Sequence, residues 1–489
     1  MSFIALLAAA PLLPSLGNSV WTYPAVSHSW VLFVFCGLFL LGLIDFSHLR
    51  RIFHLDLLVL LSFAIALSCW SQSRWLACLF IYPPLVYLGV RMAIAARLLR
   101  RDPAKPSRDR GEGEGRALAP TLGASWLIVG IVVLAGVHAG WTLDSRVNTD
   151  VGYGGVQGAM KILHGEPLYG ADRALVAHLG YDPHLDTYGP LNYEAYIPFA
   201  SVATATTAAR LTALFFDLLT ALLLFALGRR VRSPSTGVRL AYAWLAFPFT
   251  LYAAGLGSND SMVAAALVAT LLLASSPVRR GAMLALAAWS KLSPLALVPV
   301  MAAHDPSGAH RRRALLGFAA AFTLASGLIF VPALAHSGAS TFLTRTFGFQ
   351  FERNPGYSIW ARVDYGAFAA WIKTAAGVLH GLLIALSGGF AAALLWKPKR
   401  QDAVGLAAAS AAVLIAVQVC DGYYSFTYIL WFLPLVLIAL VLDRGEPRVR
   451  SAPAQAMTVS SLGRELRISL PLAPTTSRSS ILTPSRPGR

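Results

Sequence analysis

The sequence predicts an all-α polytopic membrane protein, and two observations carry that prediction. Of 489 residues, 56% are hydrophobic and only 13% are charged, whereas an ordinary soluble domain carries about 25% charged residues. The deficit is also uneven. Apolar stretches that reach or approach the ~20 residues needed to cross a bilayer core alternate with short loops that hold nearly all the charge. Trp30–Ile44, Trp75–Ala95, Ser125–Trp141, Leu211–Leu227, Ala314–Leu334, Val404–Val419 and Phe426–Leu442 are examples.

The net charge of +17 does not point to nucleic acid. Basic residues cluster at Arg50–Arg51, Arg97–Arg110, Arg229–Arg239, Arg279–Arg280, Arg311–Arg313, Lys397–Arg400 and Arg444–Arg450. These are loops between spans, which the positive-inside rule places in the cytoplasm, together with the C-terminus. The loops left for the external face are Ser71–Arg74, Asp144–Ala205, Gly255–Asn259, Ser337–Tyr365 and Asp421–Tyr424, of which the second and fourth are long.

Gly281–Ala303 conflicts with a simple count. A single crossing there would put Arg311–Arg313 outside. Its middle reads Ser290-Lys291-Leu292-Ser293-Pro294. The proline breaks the helix, and a central Lys costs about 2.5–3.5 kcal/mol on insertion scales. A re-entrant hairpin, entering and leaving on the cytoplasmic side, returns every basic cluster to that side. The expected architecture is thus about eleven full spans plus a hairpin, in a multi-pass protein of the cell membrane.

The organisation expected along the chain has four parts. Residues 1–97 form an N-terminal three-span extension, within which Phe3–Leu16 is too short to span and reads as interfacial. Residues 98–121, rich in Arg, Gly, Asp and Pro, form a flexible cytoplasmic linker. Residues 122–442 form the main membrane module. Residues 443–489, rich in Ser, Pro and Arg, form a disordered tail. Cys36, Cys69, Cys78 and Cys420 lie in or beside apolar spans, without metal-ligand spacing. No cluster of His and carboxylates at ligand spacing occurs, and no metal or cofactor is expected.

The first long external loop carries the polar chemistry. It opens with Asp144 and Asp150. Val156, Ala159, Met160 and Leu163 then follow one helical face, giving a helix too short to span that lies along the interface. Gly165 stops it. Tyr153, Tyr188 and Tyr193, with Asn192 and Glu194, suit a sugar-binding wall, since a tyrosine ring has an apolar face and a polar tip. The same tyrosines also suit an interface belt. Asp150 reads either as a carboxylate able to take a proton from a sugar hydroxyl or as the N-terminal charge of the interfacial helix.

The order of a span, an acidic residue, an interfacial helix, "HGEPLYG", "DTYGPLNYEAYIPF", "GLGSNDSMVAAALV", "RRGAMLALAAWSKLSPLALVPV", "FGFQFERNPGYSIW" and "GYYSFTYILWFLP" resembles the GT-C class of membrane glycosyltransferases. Within it, the chain is similar to the bacterial polyprenyl-phosphate-mannose-dependent mannosyltransferases and their relatives. The resemblance covers Leu122 to Leu442 and leaves out the first three spans. It implies a GT-C-like helical bundle with two long external loops. It also implies a polyprenyl-phosphate-sugar donor, a glycan or glycolipid acceptor, and reaction at the external face among membrane lipids. An acidic residue of the first external loop then acts as base; Asp150 matches that position best and Asp144 second.

The second long loop holds Arg345, Gln350, Glu352, Arg353, Tyr357 and Arg362. Arg353 and Arg362 are candidates for the donor phosphate, because guanidinium grips phosphate oxygens bidentately; Gln350 is a candidate sugar contact. Asn259 and Asp260 read as an N-cap or, by the resemblance, as neighbours of the active cavity. Asp217 sits mid-span and needs a partner. Lys291, at the hairpin tip, is expected either to pair with Asp217 or to reach the lipid phosphate. A transporter or flippase of lipid-linked sugars is the rival reading, since broken helices and intramembrane charges fit one too.

Overall fold

The computed structural model describes residues 28–45, 52–69, 74–96, 122–145, 149–170, 186–305, 311–352, 358–361, 369–395 and 401–443, which form helices and turns without a strand. Phe3–Leu16, the 98–121 linker and the tail beyond 443 lie outside the described residues. The helices in chain order are α1 (His28–Leu43), α2 (Ile52–Cys69), α3 (Arg74–Ala95), α4 (Ala124–Asp144), α5 (Asp150–His164), α6 (Ala205–Val231), α7 (Pro234–Ala246) and α8 (Pro248–Gly255). They continue with α9 (Asp260–Leu272), α10 (Pro277–Ser290), α11 (Arg311–Leu334), α12 (Ala369–Ala393), α13 (Ala403–Cys420) and α14 (Ile429–Asp443). Among the described residues four of these, α4, α6, α11 and α13, are long and apolar enough on their own to cross a membrane. Shorter apolar helices accompany them, and the bundle is that of an all-α polytopic membrane protein.

Local sequence explains where the helices start. Ser233 and Ser276 each accept a hydrogen bond from the third residue onward and are followed by Pro234 and Pro277, residues preset for a first helical turn. Asp402 does the same for α13, accepting from the Gly405 amide at 2.8 Å. Between α7 and α8, Pro248 lacks the N–H that would bond the Trp244 carbonyl. The Phe247 amide and the Thr250 hydroxyl donate to that carbonyl instead, at 3.2 and 2.8 Å. Glycines let backbones approach: Gly228 of α6 lies against Gly237 of α7, and Gly281 of α10 against the Phe318 backbone of α11.

The hairpin expected at Gly281–Ala303 has a physical latch. α10 ends at Ser290, Lys291 is extended, and the chain returns through a 3-10 turn (Ser293–Leu297) and a last helical turn (Val298–Ala302). Buried Arg280, at the start of the segment, donates to the carbonyls of Met301 and His304 at its end, both at 2.8 Å. It also donates to the Ala274 carbonyl. The two ends of the segment therefore lie together, and Lys291 is at its far tip.

The three N-terminal helices are packed into the main hydrophobic core. The Tyr242 hydroxyl of α7 donates to the Leu38 carbonyl of α1 at 3.0 Å, and its ring fills the space over Gly42 of α1 and Gly130 of α4. Phe39 meets Phe247 edge-on with centroids 5.3 Å apart. Asp56 of α2, fully buried, accepts from Tyr87 at 2.9 Å and from Arg91 at 3.1 Å.

One expectation needs correction. Asp217 does not pair with Lys291. Its carboxylate lies 2.6 Å from His138 Nδ1 and accepts from Trp244 Nε1 at 2.9 Å. The other ring nitrogen of His138 is 2.9 Å from the Leu245 carbonyl. α4, α6 and α7 thus close their own polar network inside the bundle, and the hairpin tip reaches α9 instead. The expected external turn Gly255–Asn259 is packed inside the protein, with Ser258 and Asn259 each 3% exposed. The start of α9 packs beside the middle of α6, with Thr220 donating to the Ser261 carbonyl at 3.3 Å.

Candidate active site

The buried turn before α9 is the centre of the site. Asp260 is 1% exposed and Lys291 4%, so neither charge could be held there without a partner. They hold each other, Nζ to Oδ1 at 2.5 Å. Trp431 Nε1 of α14 donates to the same oxygen at 2.7 Å. Ser258 donates to the other oxygen at 2.5 Å, and Thr427 also hydrogen-bonds the carboxylate. The ammonium sits among three aromatic rings, 5.3 Å from the centroid of Tyr188 and 5.2 Å from those of Tyr428 and Trp431. That spacing is within reach of cation–π attraction. Tyr428 and Trp431 stack on each other at 4.0 Å.

Around this pair lie polar atoms without hydrogen-bond partners. The side-chain amides of Asn192 and Asn259 bond each other. That leaves the remaining nitrogen of Asn192 and the remaining oxygen of Asn259 buried and unpaired, along with the Tyr196 hydroxyl, the Ser261 hydroxyl and one oxygen of Glu194. Buried polar groups are almost always satisfied, so five such atoms on two touching segments mark a place for a polar ligand. Burial, with the nearby charge of Asp260 next in size, pushes the Tyr196 hydroxyl above its usual range. Burial also pushes the Glu194 carboxyl up to about 7.

Helix α5 is docked on this turn. Thr149 caps α5 by accepting from the Gly152 amide at 3.2 Å, and its own amide donates to the Leu256 carbonyl at 2.9 Å. A side chain at Gly152 would stand 2.8 Å from the Gly257 carbonyl. Gly155 and Gly158 give room to the rings of Tyr196 and Tyr193. The glycine face of α5 therefore seats the 191–196 segment. Asp150, half-buried, opens the helix beside the Leu256–Asp260 turn and accepts from the Val151 amide at 2.8 Å.

The remaining candidates distribute as follows. Tyr188 is in the ring cage of Lys291. Tyr193 is structural, accepting from the Tyr188 amide at 3.3 Å and meeting Tyr169 edge-on. Tyr153 hydrogen-bonds Thr206 at 3.1 Å, at the start of α6. Asp144 ends α4 exposed, and Gln350 is exposed with its amide turned back to the Thr346 carbonyl. Neither is shown in contact with the Asp260–Lys291 cluster. Arg353 and Arg362 lie outside the described residues. The two long loops do meet: Arg345 is 3.4 Å from buried Asp186, and the Tyr169 amide donates to Ser337 at 3.1 Å.

Trp431, Tyr428, Ser258 and Thr427 were not singled out from sequence. The available signal was the i, i+3 spacing of Tyr428 and Trp431 at the head of the last span, which puts both on one helical face. Apart from this geometry, comparison with known proteins adds one finding. No curated protein matches the chain. The profile of Glycosyltransferase family 87 matches residues 187–420, a stretch that includes Tyr188, Asn192, Glu194, Asn259, Asp260 and Lys291. Over those residues the chain is similar to Glycosyltransferase family 87, and the match supports a membrane glycosyltransferase of the GT-C type.

Proposed function

We propose that the protein transfers a hexose, mannose in the first instance, from a polyprenyl-phosphate carrier to an envelope glycan or glycolipid on the external face. The observation that carries this reading is the buried Asp260–Lys291 pair in its aromatic cage, bordered by polar atoms that await partners. Aromatic walls and unsatisfied amides suit a sugar. A fixed ammonium suits the phosphate that leaves.

In this reading the acceptor hydroxyl oxygen attacks the anomeric carbon on the side opposite the lipid phosphate. The bond from that carbon to the phosphate oxygen breaks, and its electron pair leaves with the polyprenyl phosphate. The anomeric centre inverts. Asp150, at the start of α5, takes the hydroxyl proton. Asp260 fixes the position of the Lys291 ammonium, whose positive charge stabilises the departing phosphate. Arg353 and Arg362 join it as further phosphate ligands.

The test is transfer from a labelled polyprenyl-phosphate hexose to membrane glycolipids by purified protein. Wild type should turn over, and Asp150→Asn should be reduced by about 10²–10⁴-fold, the usual contribution of a positioned base. Equal rates would remove Asp150 from that role. Movement of the donor across liposomes without any transfer would favour a flippase instead.

A further inference from the structure

α10 and α11 run the same way. The Arg280 latch brings the chain back to the end of the bundle where α10 began, and α11 starts from there. The two helices stay in step: Gly281 lies against the Phe318 backbone. Further on by the same number of residues in each, Trp289 Nε1 donates to Ser326 at 2.6 Å. Membrane helices that follow one another usually alternate in direction, which sets the positive end of one dipole beside the negative end of the next. Here two positive ends stand side by side, and neither helix has an acidic residue in its first turn.

Basic side chains add to that charge. Arg279, Arg312 and Arg313 are exposed in these first turns. Residues four apart share a helical face, so Arg313 stands one turn above Gly317. A carbon added at Gly317 would be 3.4 Å from Val278, the neighbour of Arg279. Arg279 and Arg313 therefore flank the seam between the helices, whereas Arg312 is turned about 100° away around α11. Among the described residues neither Arg279 nor Arg313 has a carboxylate partner. Asp305, the acid at the far end of the hairpin segment, acts on buried Arg280 and on His304.

Below the arginines the seam is apolar. Val278, Leu324 and Leu328 are exposed, and the two leucines continue the Gly317 face of α11. α11 is long and apolar enough to cross a membrane, so this face meets acyl chains while its first turn stands at headgroup level. We propose that the seam between α10 and α11 binds an anionic phospholipid, its phosphate held by Arg279 and Arg313 and an acyl chain lying along Val278, Gly317 and Leu324. Guanidinium takes phosphate oxygens bidentately. With no carboxylate on either arginine, the seam favours a headgroup of net negative charge over a zwitterionic one. Lys291 lies at the far tip of the hairpin, so this site is separate from the Asp260–Lys291 cluster and does not rest on the transferase reading. The lipid ties α10 to α11 at the root of the hairpin that carries Lys291.

The test uses the full-length protein in detergent, with dioleoyl phosphatidylglycerol and dioleoyl phosphatidylcholine as probes. Native mass spectrometry should retain phosphatidylglycerol on wild type in preference to phosphatidylcholine. Arg279→Gln and Arg313→Gln should each weaken phosphatidylglycerol binding about tenfold, the size of one charge-assisted hydrogen bond. Arg312→Gln removes the same charge from the same turn and should bind as wild type does. Retention is read on folded protein, so a loss of stability does not stand in for a loss of lipid. Equal retention of the two lipids would overturn the proposal. So would equal losses in Arg312→Gln and Arg313→Gln, which would mark a diffuse field without a site. Full competition by inorganic phosphate at matched ionic strength would also overturn it, because a free anion would then suffice.

Discussion

Lys291 and Asp260, 31 residues apart, meet as an ion pair at 2.5 Å in the interior of the bundle. Removing one partner strands the other as a buried charge, at a typical cost of 3–5 kcal/mol. Lys291→Met and Asp260→Asn should each lower the melting temperature strongly in detergent. The double variant should recover much of the loss, because no bare charge remains, yet still lack transfer activity. Recovery of activity in the double variant would deny Lys291 its place at the phosphate.

Glu194 should make stability depend on pH. Its folded pKa is raised by burial from 4.5 to about 7. Between those values the folded state holds a proton that the unfolded chain has lost, so stability falls as pH rises through that window. Thermal melts of wild type and Glu194→Gln should differ most in slope between about pH 4.5 and pH 7, with the variant flatter. Parallel curves would show the carboxyl to be hydrated.

Asp217 should couple to His138 and not to Lys291. In a double-mutant cycle read by thermal stability, Asp217→Asn with His138→Gln should deviate from additivity by more than about 0.5 kcal/mol. Asp217→Asn with Lys291→Met should add within about that margin. The reverse pattern would reinstate the pairing first expected from sequence.

Gly158→Ala places a methyl group against the Tyr193 ring and Leu168. Overpacking of this kind typically costs 1–3 kcal/mol. Gly136→Ala, whose added carbon meets nothing, is the matched control and should melt no lower than wild type. Since Gly158 seats the 191–196 segment, its variant should also weaken substrate binding, seen as a higher KM.

The Arg280 latch makes a prediction about sidedness. Ser276→Cys and Asp305→Cys, at the two ends of the hairpin, should react with an impermeant maleimide from the same side of sealed vesicles. Glu166→Cys and Ser340→Cys, in the two long loops, should react from the other. Opposite reactivity of Ser276→Cys and Asp305→Cys would turn the hairpin into a crossing.

Most of the fold was legible because lipid imposes a length and polarity rule on each span. The hairpin was legible for the same reason, through a lysine and a proline at the middle of one apolar run. What sequence did not reveal depends on rotation and depth. Gly255–Asn259 looks like any polar connector, and its burial follows from how the start of α9 packs beside α6. Asp217 needed a partner, but which helix supplies it follows from how α4, α6 and α7 face one another. Asn192, Asn259 and Asp260 were legible as polar residues, but their burial together was not. Trp431 and Tyr428 were not, because aromatic residues at a span terminus look the same whether they face lipid headgroups or a lysine.

The contact between Tyr242 and α1 has a consequence in time. The hydroxyl bonds the carbonyl of a residue 204 positions earlier. At a synthesis rate of about 5–20 residues per second, the first helices precede that tyrosine by roughly 10–40 s. The first helices must wait, inserted but undocked, for the ring that closes on them. Docking of α1 thus waits for a residue near the middle of the chain, and that of α2 waits longer still, for Phe432 against Phe63.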